Sequence, residues 1–231
     1  MQLQVIAHAH NGFTQKFGIP RQSREDSCIE THIIFTHAYR VREALRGIEG
    51  YSHLWLLWGF SEAMSEQANS ELGWSPTVRP PRLGGNTRIG VFASRSPFRP
   101  NALGLSSVKL EKVEMDPQLG PVLYVSGVDM MDGTPIFDIK PYIPYGDCHP
   151  DATGGFTDTA GEFLLQVDFP EDLLMKLPAE KRDAAIGVLS HDPRPSYQRN
   201  PDRIYGLTFA GFDIRFKVTD DILTVEEVNK V

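Results

Sequence analysis

Up to about residue 145 the apolar residues recur with a period of two, in short runs divided by turn residues, which restricts this part of the chain to strands. The runs are LQVIAHA (3–9), CIETHIIF (28–35), SHLWLLWGF (52–60), RIGVFA (88–93), LSSVKLEKVEM (105–115), PVLYVSGVD (121–129) and PIFDIKPYI (135–143). Successive side chains of a strand point to opposite faces, so a run that is apolar on both faces, as SHLWLLWGF is, belongs at the centre of a sheet covered on both sides. One segment departs from the period: AYRVREALRGIEG (38–50) predicts a short helix, with Gly47 or Gly50 as its stop. Tight turns such as MDGTP (131–135) predict hairpins, and hairpins in series predict a closed barrel or a sandwich.

The pattern breaks at PYGDCHPDATGGFTDTAG (144–161), which predicts a boundary between a β unit over 1–150 and a smaller α+β unit over 151–231. The second unit is expected to hold a strand at 162–169, helices at 171–177 and 179–190, and strands in RIYGLTFAG, FDIRFKV and ILTVEEV. A chain of 231 residues that is 41% hydrophobic can bury an ordinary globular core. It has no stretch of about 18 apolar residues to cross a bilayer, and MQLQVIAHAHNGF lacks the basic start and apolar core of a secretory signal, so a cytoplasmic protein is expected. Cys28 and Cys148 have neither CxxC nor Cys/His ligand spacing, which predicts neither a disulfide scaffold nor a metal site.

Charge is unevenly spread. Residues 1–145 carry 14 Lys+Arg and 14 Asp+Glu, whereas residues 146–231 carry 9 and 16, so the whole formal charge of -7 lies in the last third. Within the neutral part, no acidic residue falls between Glu71 and Glu111, and Arg79, Arg82, Arg88, Arg95, Arg99 and Lys109 sit there among prolines and glycines. Guanidinium forks on stiff turns suit planar anions, carboxylates and phosphates, although a solvated basic loop has the same composition. The acidic remainder argues against broad binding of a nucleic-acid backbone but allows a focused basic site for a polyanion.

Three further clusters offer chemistry. Pro20, Arg21 and Gln22 follow a turn-like KFGIP and present several donors on a fixed backbone, as a surface turn also would. Asp129, Met130, Met131 and Asp132 lead into the Asp-Gly turn. Asp138, Lys140 and Tyr142 alternate along a strand and so share one face, either as a substrate-holding row or as a solvated lateral ion pair. There is no GxGxxG, no P-loop, no HExxH and no GxSxG. His191 and Asp192 read as a helix cap rather than a catalytic pair.

PRQ (20–22), GIEGYSHLWLL (47–57), WSPTVRPPRLGG (74–85), GVFASRSPFRPNALGLS (90–106), DGTPIFDIKPY (132–142) and HDPRPSY (191–197), in this order along nearly the whole chain, resemble the TsaA-like family of bacterial tRNA methyltransferases. The resemblance implies a single-sheet β-barrel with a smaller C-terminal domain, working as a homodimer, and S-adenosylmethionine as cofactor. It implies N6-methylation of threonylcarbamoyladenosine beside the anticodon, so the partner is the anticodon loop of tRNA. Carried over by motif, the cofactor pocket takes in Pro20, Arg21, Gln22, Ser61, Glu62, Arg95, Leu105, Ser107 and Asp129 to Asp132. This chain has Ser61 and Glu62 where a relative in that family has a His-Gln pair, and an inserted SEQANSEL before Trp74.

On that footing, Arg79, Arg82, Arg99 and Lys140 are the candidates for the threonyl carboxylate and neighbouring phosphates, and Asp138, with Lys140 and Tyr142, for the catalytic face. A single-stranded loop can be read by a small basic and aromatic site, which reconciles an RNA substrate with a net charge of -7. The other expectations are an enzyme acting on a small anionic metabolite and a non-catalytic RNA-binding barrel.

Overall fold

The computed structural model describes residues 2–14, 19, 23, 30–60, 73–80, 83, 86–159, 164–194 and 200–231. In chain order β1 (Ala7–His10), β2 (Thr31–Phe35) and β3 (His53–Gly59) are followed by a ribbon of β4 (Thr77–Val78) and β5 (Ile89–Gly90), then β6 (Leu103–Asp116), β7 (Gly120–Ser126) and β8 (Pro135–Pro141). The six long strands close into an antiparallel barrel in the order β1, β2, β7, β6, β3, β8, with β8 returning to β1. The run that is apolar on both faces is β3, between β6 and β8, but it is not covered on both sides as expected. In a closed barrel one face of each strand looks outward, and His53, Trp55 and Leu57 are only half-buried there. Leu54, Leu56 and Trp58 point into the barrel and are buried.

Three local expectations are corrected. The helix over 38–50 is instead three 3-10 turns, His37–Tyr39, Arg42–Leu45 and Ile48–Gly50. Its apolar spacing is helical, but extended Val41 and left-handed Gly47 (φ 90°) interrupt it, and Arg40 donates to the carbonyls of Phe35 and Gln118, which fixes the first break. The strand over 88–93 is only the two residues of β5, followed by a 3-10 turn, Val91–Ala93. Finally, MDGTP does not close a hairpin, because β7 and β8 are not neighbours in the barrel. Residues 127–134 instead cross one end of it, and Val128 and Met130 plug that end as part of the core.

The C-terminal part contains α1 (Pro144–Asp147), α2 (Phe156–Thr159), β9 (Gln166–Asp168), α3 (Glu171–Leu174), α4 (Ala179–Ser190), β10 (Tyr205–Phe209), β11 (Phe212–Thr219) and β12 (Ile222–Lys230). Its sheet runs β10, β11, β12, β9, with β9 parallel to β12. Helix α4 has the expected bounds and buries Ala184, Ala185, Val188 and Leu189 against this sheet's core. The helix expected over 171–177 ends earlier, and Pro178 starts α4 as its N-cap. His191 caps α4, its Nδ1–H donating to Gly187 O at 2.7 Å, while Asp192 binds the Arg194 guanidinium. No helix among the described residues is long and apolar enough to cross a membrane.

The barrel and the second core are joined by residues 10–13. Phe13 follows β1, yet its fully buried ring belongs to the C-terminal core, 5.7 Å from Phe209. Asn11 donates its backbone N–H to Asp132 Oδ1 and its amide to Met130 O, and Asp132 N–H donates to Phe13 O. The crossing segment 127–134 is therefore fastened to the chain that enters the second core.

Candidate active site at one end of the barrel

Strand direction gathers three connections at one end. There β1, β3 and β7 finish while β2, β6 and β8 begin, so segments 11–30, 60–102 and 127–134 all leave or enter together. The turns opposite carry none of the expected cofactor residues.

A buried polar chain leads to this end. Trp58 Nε1–H donates to Ser106 Oγ at 2.8 Å, and the Ser106 hydroxyl donates in turn to Asp129 Oδ1. Gly104, which faces Trp58 across β3 and β6, makes room for the indole: a Cβ there would lie 2.2 Å from a ring atom. Burial pushes the Asp129 carboxyl above its ordinary range, against the Ser106 hydroxyl, backbone N–H groups including that of Ser23, and the positive charge of Arg95, all of which favour the carboxylate. Ser23 also donates its hydroxyl to Ser107 O. Asp129, Arg95, Ser107 and Ser23 thus meet in one place.

The basic segment is a long excursion between β3 and β6. It is folded on itself by Ser75 N–H to Phe98 O and Val91 N–H to Pro76 O. Arg99 donates to the carbonyls of Val91 (3.1 Å) and Ser94 (2.7 Å), which locks the 3-10 turn, and its guanidinium lies 5.7 Å from the centre of the Phe92 ring. Trp74 lies against Phe92 at 6.0 Å and 25°. Beside these groups opens a cleft of about 1500 Å³, lined by Arg79, Arg88 and Arg95 and by Phe92 and Phe98, with Gly154–Thr157 as the further wall.

Among the expected site residues, Pro20, Arg21, Gln22, Ser61, Glu62 and Arg82 lie outside the described residues. Leu105 and Ser107 point outward from β6, Leu105 being 56% exposed. Met130 is a buried plug, and Asp132 is occupied by the Asn11 N–H and by His10 Nδ1 at 3.3 Å. Asp138 and Lys140 form an ion pair of 2.9 Å on the outer face.

Register sets Asp138, Leu57 and Leu105 in one row across β8, β3 and β6, and Lys140, Trp55 and Ser107 in the next. Tyr142 follows β8 at the end away from the site, packed against Trp55 and His53. Ser23, Ser106, Phe92 and Gly154–Thr157 were not anticipated. The motif GVFASRSPFRP carried the only signal for Phe92, an aromatic set among arginines. No group of three or more His, Cys, Asp or Glu that could hold a metal occurs among the described residues.

Comparison with known proteins gives matches over nearly the whole chain. A profile of the tRNA-methyltransferase O N-terminal domain matches residues 8–148, and one of the TrmO C-terminal domain matches residues 162–231. The tRNA (adenine(37)-N6)-methyltransferase of Escherichia coli is 37% identical over 227 residues, which span 95% of this chain and 94% of that one. A Pseudomonas aeruginosa protein described as a candidate S-adenosylmethionine-dependent methyltransferase is 36% identical over 91% of this chain and 90% of its own. The crystal structure of TrmO from Pseudomonas aeruginosa superposes with a TM-score of 0.77 at 29% identity, covering 99% of this chain and 98% of that one.

Proposed function

The chain belongs to the tRNA-methyltransferase O family and is a tRNA adenine-N6 methyltransferase; from that premise we propose that it draws the methyl group from S-adenosylmethionine and acts on threonylcarbamoyladenosine beside the anticodon, with Asp129 and Arg95 at the centre of the cofactor site. The observation that carries this reading is the buried Trp58, Ser106, Asp129 chain, which emerges where the arginine-rich excursion leaves the barrel.

The donor set fits the cofactor. A carboxylate disfavoured by its own burial, with a guanidinium near it, is completed by a ligand that carries both charges: ammonium and sulfonium favour ionised Asp129, and the ligand carboxylate favours Arg95. When bound, S-adenosylmethionine supplies an electrophilic methyl group on a sulfonium. Asp129 is aimed by Ser106, which Trp58 holds in turn, so that its position is fixed before any ligand arrives. Arg82 and Lys140 are assigned to the threonyl carboxylate, and Arg79 to a neighbouring phosphate. Arg99 supports the cleft from beneath, through the carbonyls that it already holds.

Orientation supplies most of the rate of such a displacement, and the nitrogen must also lose a proton. We assign that proton to Asp138. It shares a row with Leu105 about 10 Å away, at two strand spacings, and Lys140 pairs with it at 2.9 Å. Tyr142, at the opposite end of β8, is given no part in this step. A cytoplasmic homodimer is proposed on the resemblance alone, and sedimentation of the purified protein measures the dimer.

Calorimetric titration with S-adenosylmethionine, beside Arg95→Ala and with methyl transfer to anticodon stem-loops, tests the reading. The expected result is binding by the native protein, a 10-fold or greater loss in the variant at about 1.5–3 kcal/mol for a charged hydrogen bond, and methylation only of the threonylcarbamoylated loop. Absence of binding by the native protein, with or without RNA, would overturn it.

A further inference from the structure

Phe92 is 70% exposed, yet it is rigidly held. Its 3-10 turn is anchored by buried Val91, the Arg99 guanidinium grips the carbonyls of Val91 and Ser94, and both Arg99 and Trp74 lie against the ring itself. A large apolar ring presented to solvent by a braced frame binds a flat partner with little loss of side-chain freedom.

Beside it stands an unusual pair of charges. In the β4–β5 ribbon Thr77 pairs with Gly90 and Val78 with Ile89, so the next residues outward, Arg79 and Arg88, lie opposite each other. Like charges directly across a ribbon repel. Among the described residues neither has a carboxylate within ion-pairing distance, and Arg88 donates only to Thr77 Oγ1 at 3.2 Å. Both arginines and Phe92 line the same cleft, whose Arg95 also acts on Asp129. An anion held between the two guanidinium groups, joined to a planar ring on Phe92, relieves the repulsion and covers the apolar face together. A nucleotide has that chemistry.

We propose that this cleft seats one unmodified nucleotide of the anticodon loop, next to the methylated one, with its phosphate between Arg79 and Arg88 and its base stacked on Phe92. The assignment rests on the tRNA methyltransferase reading and adds a stacking site to it. Phe92 is three residues from Arg95, at most about 11 Å along the chain, so a base stacked on Phe92 is near enough to be the neighbour of the one presented to the cofactor.

The test uses the full-length protein and an anticodon stem-loop carrying 2-aminopurine next to the target adenosine. Phe92→Ala is expected to weaken stem-loop binding by roughly 5- to 100-fold, the range for one base stacked on an aromatic ring, and to abolish quenching of the 2-aminopurine. Phe92→Trp should restore both. Affinity for S-adenosylmethionine, measured on the same variants, should not change. Arg79→Gln with Arg88→Gln should lower the slope of log K against log salt by about 1 to 2. Native-like binding and quenching by Phe92→Ala would overturn the stacking site alone. Failure of the native protein to bind the stem-loop at all would overturn the tRNA reading beneath it.

Discussion

Gly104→Ala is the sharpest probe of how the barrel interior supports the site. The added Cβ would lie 2.2, 2.4 and 2.6 Å from three atoms of the Trp58 ring. Restoring a contact of about 3.5 Å requires the ring to move by roughly 1.3 Å. Trp58 is 4% exposed and packed 4.3 Å from Phe60, so the ring has no free direction, and its 2.8 Å bond to Ser106 cannot survive a shift of that size. Overpacking costs about 1–3 kcal/mol and an unsatisfied buried N–H another 1–3 or so. The lower entropy of the unfolded alanine chain returns roughly 0.4–1 kcal/mol, leaving a net loss near 3 kcal/mol. In a chain of this length that lowers Tm by roughly 6–12 °C.

Thermal unfolding followed by near-UV circular dichroism measures it, in the native background and in Trp58→Leu. With the indole gone the extra methyl should cost under about 1 kcal/mol, so the two substitutions couple by about 2 kcal/mol. Equal losses in both backgrounds, or a change in Tm below about 2 °C, would show that the indole does not fill the space in front of Gly104.

Asp129→Asn should raise Tm at pH 7 while weakening S-adenosylmethionine binding. The folded-state pKa lies above the unfolded one, so Asp129 lowers stability as pH rises through the interval between them, and the gain from the amide should vanish near pH 3, where both states are protonated. Thermal scans at both pH values decide it. Asp116, ionised by the N–H groups of Leu119 and Gln118, has the opposite sign: its lowered pKa gives stability that is complete above the unfolded value and lost as pH falls through the folded one, so Asp116→Asn should blunt acid unfolding. Asp138→Asn should reduce kcat by about 100-fold or more with cofactor affinity intact; an unchanged kcat in single-turnover assays would return the row to solvated surface. Phe13→Ala should cost about 3–5 kcal/mol, read as loss of C-terminal structure by hydrogen exchange.

The parts of the fold legible in the sequence are those set by local period. β3 and α4 are examples, because a strand apolar on both faces and a helix started after Pro178 are each specified within their own residues. The segment 38–50 was misleading because its spacing is helical, whereas its geometry is set by Arg40 reaching carbonyls at Phe35 and Gln118, one of them far along the chain. The crossing at 127–134 was hidden for a similar reason: an Asp-Gly turn looks the same whether or not its flanking strands pair. Within the site, Arg95, Ser107 and Asp129 were reachable through motif resemblance, and they do meet. Ser106 and Phe92 were not, since one depends on an indole across the barrel and the other on an exposure that only the folded excursion creates.

The placement of Phe13 has a consequence for biosynthesis. Phe13 is synthesised just after β1, whereas Phe209, the ring it packs against, is synthesised only after every barrel strand. All barrel strands are complete once Pro141 has emerged, so the barrel can close while this ring is still without its core. From Pro141 to Lys230, the end of β12, is 230 - 141 = 89 residues, so at about 5–20 residues per second the wait after the barrel strands are complete is roughly 4–18 s. During that interval the nascent chain holds a nearly finished catalytic barrel beside an uncovered phenylalanine, a transient surface for a chaperone to grip. Packing of Phe13 into the second core then holds the backbone to which Asp132, on the crossing that carries Asp129, is bonded.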